Sequence, residues 1–324
     1  MLAEERSVVS GFNYLAIDLN SHSVSARDLP IAAAACWRPT TVIIGLYEGA
    51  VMTLPSQVKT LLPFIDVVAD TNTPEFLLDT ALTNLAANPV ASTTLIQLLR
   101  QSQDLTVEQA LIAESLAYSS LQHGSEFLDW LRSRGTSGDP SEDKEPTVLM
   151  QRDDGHLTIS LNRPAKHNAF SAAMRDGLTQ ALQLASSDSA ISKVTLRGTG
   201  PSFCAGGDLY EFGQARDAAL AHVTRTTRSP GRLIYGVCDK TIAHLHGACI
   251  GAGIEMTAFA GHLIAAQGTT FALPEVGFGL VPGAGGTVSM PRRIGRQRTA
   301  LLALSGQPID AGLAHQWGLV DAVE

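Results

Sequence analysis

The chain has 324 residues, 45% of them apolar and 17% charged, with a net charge of −8. That composition supports a large hydrophobic core and excludes global disorder. Residues 1–150 carry 8 Lys+Arg against 18 Asp+Glu, and residues 151–324 carry 15 against 13, so the slightly basic second half suits a phosphorylated small molecule and nothing favours nucleic acid.

The N-terminal MLAEERSVVSGF has no apolar stretch of the signal-peptide kind. The longest smooth apolar run, IAAAAC (31–36), is far short of the ~20 residues a membrane helix needs. FNYLAIDLN (12–20) and TTVIIGL (40–46) read as strands, and residues 75–134 read as helical. Thr106 is placed to cap one of those helices, with Gln109 closing a capping box. The polar SRGTSGDPSEDKEPT (133–147) reads as a linker. Beyond it, HLTISLN (156–162) and SKVTLRG (192–198) alternate like strands around a helix over 172–188 that Ser171 caps. KTIAHLHG (240–247) is a strand running into a glycine turn at 251–253, and Ile254–Ala260 opens a buried helix. HLIAAQ (262–267) and TTFALP (269–274) are short strands. RRIGRQRTALLALSG (292–306) and DAGLAHQWG (310–318) are helices ending at glycines. Strand, strand and helix recur as in an α/β spiral. Four scattered cysteines, Cys36, Cys204, Cys238 and Cys249, with no CxxC pair, suggest a reduced cytoplasmic protein.

Three glycine-rich phrases carry chemistry: PSFCAGGDL (201–209), HGACIGAGIEM (246–256) and FALPEVGFGLVPGAGGT (271–287). A helix opening at Gly251-Ala252-Gly253 presents free N–H groups and the positive end of its dipole, and CAGGDL offers a second N–H of the same kind. Two converging N–H groups can hold the oxyanion of an enolate, and two nearby carboxylates such as Glu255 and Glu275 can divide acid and base roles where their environments differ. Taken singly, each glutamate reads as an ordinary turn or first-turn residue, and Asp208 as a turn hydrogen-bonder. His244 and His246 share one strand face without a third metal ligand nearby, which favours a structural role. Cys204 and Cys249 read as small buried hydrophobes. GAGGT lacks the GxxxxGK[ST] context of a nucleotide loop. No GxSxG or HExxH occurs.

In this order and spacing the phrases resemble the crotonase (enoyl-CoA hydratase/isomerase) superfamily. LNRPAKHNAFS (161–171), FCAGGDL, HGACIGAGIE, FALPEVGFGLVPGAGGT and ALLALSGQPIDAGLAHQWGLVDAV (300–323) match in unbroken order over about residues 147–324. The resemblance implies a ββα spiral and an oxyanion hole made by the N–H groups of Gly207 and Ala252, alanine standing where glycine is frequent. It implies Glu255 and Glu275 as the catalytic pair. Ala165, Lys166 and His167 would lie at the coenzyme A adenine, Ala205, Gly206, Asp208, Leu209, Gly251, Pro282 and Gly283 are implied as further substrate-binding residues, and Gly283 would leave room for the water beside the β-carbon. The implied function is trans-2-enoyl-CoA hydratase, a lyase of acyl-CoA and fatty acid metabolism, with coenzyme A present as part of the substrate, no further cofactor and no metal. Double-bond isomerisation or 3-hydroxyacyl-CoA hydrolysis on the same site stays open, as does an acyl-CoA-binding or regulatory subunit of a larger complex. A cytoplasmic homo-oligomer, trimer or hexamer, is expected, without membrane attachment.

One departure from the family pattern carries information. Members usually continue past the phrase matching GLVDAV with helices that roof the site. Here LAANPVASTTLIQLL and VEQALIAESLAYSSLQHGSEFLDWLRSRG, before the linker, resemble that tail. The domain reading is therefore a degenerate crotonase-like remnant over 1–74, tail-like helices over 75–134, a linker over 135–147 and the catalytic core over 148–324, a circular permutation. An unrelated α/β unit with a helical appendage is the alternative. The tail lysine expected at a coenzyme A phosphate aligns with Gln97, with Arg100 as a substitute. Arg292, Arg293, Arg296 and Arg298 are either phosphate contacts or a solvated helix face.

Overall fold

The computed structural model describes residues 7–20, 40–102, 104–135, 143 and 145–324; Cys36, the apolar run 31–36 and most of the 135–147 linker lie outside the described residues. Among the described residues no helix is long and apolar enough to cross a membrane.

The sheet at the centre has six strands: β4 (Val148–Asp153), β5 (His156–Leu161), β6 (Lys193–Gly198), β7 (Thr241–Leu245), β9 (His262–Ala265) and β12 (Ala322–Val323), in the order β12-β9-β7-β6-β5-β4. All neighbours are parallel except the β4–β5 hairpin. Register places Ile159 beside Leu196, Leu196 beside Ala243 and Ala243 beside Leu263. All four are buried, so the period-2 alternation read from the sequence becomes one apolar row across the sheet. A second sheet of β8 (Ala248–Ile250), β10 (Thr270–Ala272) and β11 (Ile309–Asp310) stands beside it. It delivers the strand that leads into Gly251.

The hairpin strand β4 was not foreseen. It is an edge strand whose side chains are exposed or half-exposed, so no alternation marks it and only its pairing with β5 defines it. The helix expected over 292–306 is two helices, Gly286–Ile294 and Arg296–Ser305, because Gly295 sits at φ 80° and breaks the ladder.

Before the linker come β1 (Tyr14–Asp18), β2 (Val42–Leu46) and β3 (Val67–Ala69), a parallel sheet in chain order. Four helices follow: α1 (Glu75–Ala87), α2 (Pro89–Gln101), α3 (Val107–Leu121) and α4 (Ser125–Arg134). Thr106 caps α3 and Gln109 returns the bond, as its sequence suggests. These helices do not form a core of their own. Leu77, Ala81 and Leu85 of α1, Leu95 and Leu99 of α2, Leu111 and Leu121 of α3 and Phe127 of α4 belong to the same buried cluster as Leu157, Leu196, Leu263 and Leu301. Burying each such leucine stabilises by about 1.5–3 kcal/mol. Leu19, Ile43, Leu54, Val58, Leu61 and Ile65 form a separate, smaller cluster under the N-terminal sheet.

Asp66 joins the parts. It is fully buried; its carboxylate receives Arg100 Nε at 2.9 Å and Nη2 at 2.6 Å, Arg296 Nη1 at 2.8 Å and the Ile43 N–H at 2.8 Å. Arg296 also donates to the carbonyls of Pro63 and Ile65, and Arg100 to that of Thr41. The N-terminal sheet, α2 and the helix after Gly295 are thus tied by one carboxylate. Arg100 and Arg296 are therefore not phosphate contacts, since both guanidinium groups are spent inside the protein. Arg292 and Arg298 are exposed, as a solvated helix face requires, and also bond the carbonyls of Leu105 and Trp317, whereas Arg293 is half-buried, bonds the Ala258 carbonyl and pairs with Asp321 at 3.2 Å.

Asp66→Ala leaves two buried guanidinium groups without their anion. The expected loss is about 3–5 kcal/mol of stability, read as a lower denaturant midpoint in equilibrium unfolding.

Candidate active site

A cavity of about 440 Å³ lies between the sheet layer and the N-terminal helices, lined by Gly207, Asp208, Phe212, Ala252, Glu255, Glu275, Gly283 and Ala284 together with Leu111, Glu114 and Tyr118 of α3. Residues far apart in sequence and on both sides of the linker make its wall.

Gly251 precedes the helix Ala252–Thr257 at φ 49° and ψ −123°. Any side chain there would also collide with the Glu275 carboxylate, so glycine is required on two counts. The Ala252 N–H, first in its helix, has no intrahelical acceptor. The chain carrying Gly207 runs beside Phe170, whose N–H bonds the Gly206 carbonyl while Asp208 N–H bonds that of Phe170. A Cβ on Gly207 would come within 2.7 Å of the Phe212 ring. That ring belongs to an aromatic group with Phe127, Trp130 and Phe278, Trp130 and Phe278 having centroids 4.7 Å apart. Helix α4 therefore props the wall beside Gly207.

Glu255 and Glu275 are 2% and 8% exposed, so neither is a solvated first-turn residue. Glu255 Oε2 accepts the N–H groups of Ala284 at 2.7 Å and Gly286 at 3.0 Å. Glu275 Oε2 is buried and has no protein partner, and its carboxyl lies within hydrogen-bonding reach of Glu255. Burial, reinforced by the charge of Glu275, pushes the Glu255 carboxyl well above its ordinary value. Burial, reinforced by Glu114, pushes Glu275 up to about 8. Near neutral pH such a pair shares protons and can both give and take one.

Glu114 is the residue that sequence reasoning missed. From α3 it accepts the N–H of Gly285 at 2.7 Å, the N–H of Thr287 at 2.9 Å and the Thr287 hydroxyl at 2.7 Å. It is buried, and burial together with the charge of Glu255 pushes its carboxyl up to about 8. A signal existed: Leu111, Glu114, Ser115 and Tyr118 stand at helical spacing, so Glu114 falls on the inward stripe with no cation beside it in sequence.

Of the other residues singled out, Asp208 and Gly283 line the cavity, and Gly251 touches Glu275. Asp208 is also paired with Arg163 at 2.9 Å and caps the turn at Tyr210. Ala165, Lys166 and His167 form a turn outside the cavity lining, with His167 in the left-handed region at φ 50° and its Nδ1 3.0 Å from Ser202 Oγ. The His167 carbonyl accepts the Ala205 N–H at 3.0 Å, which ties this loop to the Gly207 segment. Gly206, Leu209 and Pro282 adjoin lining residues without lining the cavity themselves, and Ala205 lies one residue farther from it in sequence. Cys204 and Cys249 face one another across a bridge, fully buried, and burial pushes the Cys204 thiol up to about 12; both are packing residues. His246 bonds the Gly200 carbonyl at 3.0 Å.

The raised carboxyl of Glu114 has a measurable consequence. Its proton is held more tightly in the folded state, so its contribution to stability is complete below about pH 4.5 and is lost as pH rises toward about 8. The stability of Glu114→Gln relative to the unsubstituted protein should therefore improve steadily across that window and level off above it, as read by thermal or denaturant midpoints at each pH.

The enoyl-CoA hydratase/isomerase family model matches residues 151–324. Relatives include 2,3-dehydroadipyl-CoA hydratase of Escherichia coli K12, 34% identical over 176 residues, which are 54% of this chain and 68% of the relative. Mevalonyl-coenzyme A hydratase of Aspergillus fumigatus is 35% identical over 172 residues, 52% of this chain and 62% of that one. 1,2-Epoxyphenylacetyl-CoA isomerase of Escherichia coli K12 is 33% identical over 178 residues, 53% and 68%. Among solved structures, an enoyl-CoA hydratase/isomerase from Mycobacterium abscessus superposes with a TM-score of 0.51 at 34% identity, covering 54% of this chain and 70% of that one. Hydratases and isomerases both occur among these relatives. With the family model covering more than half of its length, the chain belongs to the enoyl-CoA hydratase/isomerase family, the crotonase superfamily.

Proposed function

We propose that the protein is a trans-2-enoyl-CoA hydratase that adds water in syn fashion to an acyl-CoA thioester. The observation that carries this reading is the placement of two buried carboxyl groups within reach of each other in one cavity with the backbone of Gly207 and Ala252. In the proposed reaction the thioester oxygen sits between the two N–H groups. Donors of this kind contribute about 3–4 kcal/mol of transition-state stabilisation in other enzymes. Glu255, oriented by the Ala284 and Gly286 amides, takes a proton from water as the new C–O bond forms at the β-carbon. Glu275, whose Oε2 has no protein partner, gives a proton to the α-carbon. Proton exchange between the adjacent carboxyls restores the starting state. The thioester delocalises the developing charge, so the proposed steps call on no group besides chain, substrate and water.

We also infer that α1–α4 act as the family's closing helices placed ahead of the core. What supports this is that α3 supplies cavity wall and α4 the aromatic prop behind Phe212.

Glu255→Gln and Glu275→Gln should each lower water addition to trans-2-enoyl-CoA esters by roughly a hundred- to ten-thousand-fold while acyl-CoA binding persists, measured by loss of enoyl absorbance and by calorimetry. A double-bond shift without water addition in the unsubstituted protein would replace the hydratase by an isomerase. Gly283→Ala drives a methyl into the Tyr118 ring. Displacing the Glu255-binding loop in that way should lower kcat on the order of a hundredfold, more than it changes KM.

A further inference from the structure

The cavity wall carries a cation that forms no ion pair with an aspartate or glutamate among the described residues. Arg225, on the helix Ala218–Thr227, is half-buried, and its guanidinium lies over the Tyr118 ring, 4.8 Å from the centroid. The other side of the contact chain leads to the reacting centre: Tyr118 packs on Gly283, and the next residue, Ala284, holds Glu255. Arg225 thus stands across the Tyr118 ring from the loop that holds Glu255, on the wall to which Thr226, Arg228, Ser229, Pro230 and Arg232 also contribute. Its hydrogen bonds go to neutral oxygens: Nε to Ser115 Oγ at 3.2 Å, Nη1 to Gln122 Oε1 at 3.4 Å, and Nη2 to the Ser115 carbonyl at 3.3 Å and to Ser119 Oγ.

The neighbouring cations differ. Arg175 and Arg228 share Asp176, and Arg232 reaches Glu108 at 3.7 Å, whereas no aspartate or glutamate among the described residues pairs with Arg225. Burial accordingly pulls the Arg225 guanidinium downward from its usual range. A half-buried charge with neutral partners is costly, and a carboxylate brought by a ligand beside the guanidinium offsets that cost through opposite charge and a charge-assisted hydrogen bond.

We propose that the cavity takes 2-enoyl-CoA thioesters whose acyl chain ends in a carboxylate, and that Arg225 is the specificity-determining residue that holds it. The proposal rests on the acyl-CoA reading of the site. The anion could instead come from a coenzyme A phosphate, but the loop expected at the adenine, residues 165–169, does not line the cavity, whereas Arg225 does.

The test compares adipyl-CoA with hexanoyl-CoA, saturated esters of equal chain length that share coenzyme A and do not react. Affinities are measured by calorimetry for the full chain and for Arg225→Gln and Arg225→Lys, each checked for folding by its thermal midpoint. The unsubstituted protein should bind adipyl-CoA roughly ten- to a hundredfold more tightly, the range for a hydrogen-bonded charge pair. Arg225→Gln should abolish that ratio and Arg225→Lys keep part of it. Equal binding of the two esters by the unsubstituted protein overturns the proposal, whatever the variants do. So does an Arg225→Gln that weakens both esters by the same factor, which assigns the guanidinium to a phosphate or to helix packing. If neither ester binds, the acyl-CoA reading itself fails, and the proposal with it.

Discussion

Four consecutive backbone N–H groups, those of residues 284–287, are divided between two buried glutamates, one from before the linker and one from after it. Ala284 and Gly286 donate to Glu255, and Gly285 and Thr287 donate to Glu114. The loop that carries them is glycine-rich because it must show alternate amides to opposite sides. Gly285 sits at φ 107°, and a Cβ on Gly286 would press on Glu255. Neither carboxyl keeps its place without the loop, and the loop is held between both. The site is consequently a joint property of the core and of helix α3.

That arrangement explains how three carboxyl groups stand buried in one cavity. Dry carboxylates repel one another and lose hydration. Here amide dipoles oppose the cost in Glu255 and Glu114, and retained protons relieve the remainder, which is the origin of the raised carboxyls. A cluster of that kind suits chemistry in which a proton is taken and another returned. Farther along the same wall, Arg225 keeps its charge, across the Tyr118 ring from the loop that holds Glu255. The cavity is thus graded from a proton-sharing end to a cationic end.

The rest of the architecture keeps α3 in place. Helix α1 packs on the helix after Gly295, and Glu126 of α4 caps α2 through the N–H groups of Val90 and Ala91. Gly279 lets the segment after Glu275 run against α4 so closely that a Cβ there would meet the Phe127 backbone at 2.5 Å. Asp66 draws the N-terminal sheet into the same body. Its two guanidinium partners belong to α2 and to the helix after Gly295, and both of those contact α3 or its neighbours.

What the sequence alone determined were the elements whose cause is local. Period-2 alternation marks the strands at 156–161 and 193–198, capping chemistry marks the helix starts at Ser171 and Thr106, and the resemblance of the glycine-rich phrases to the crotonase superfamily points to Glu255, Glu275, Gly207 and Ala252, which line one cavity. Edge strand β4 and the break at Gly295 escaped, the first because a strand exposed on both faces has no pattern, the second because one glycine reads equally well as a helix interior. Tertiary structure alone decided what Glu114, Asp66, Arg100, Arg225 and Arg296 do. A charged side chain in a sequence carries no mark of its burial or its partner, and these partners lie tens to hundreds of residues away, brought together only when the helices before the linker pack on the core that follows it.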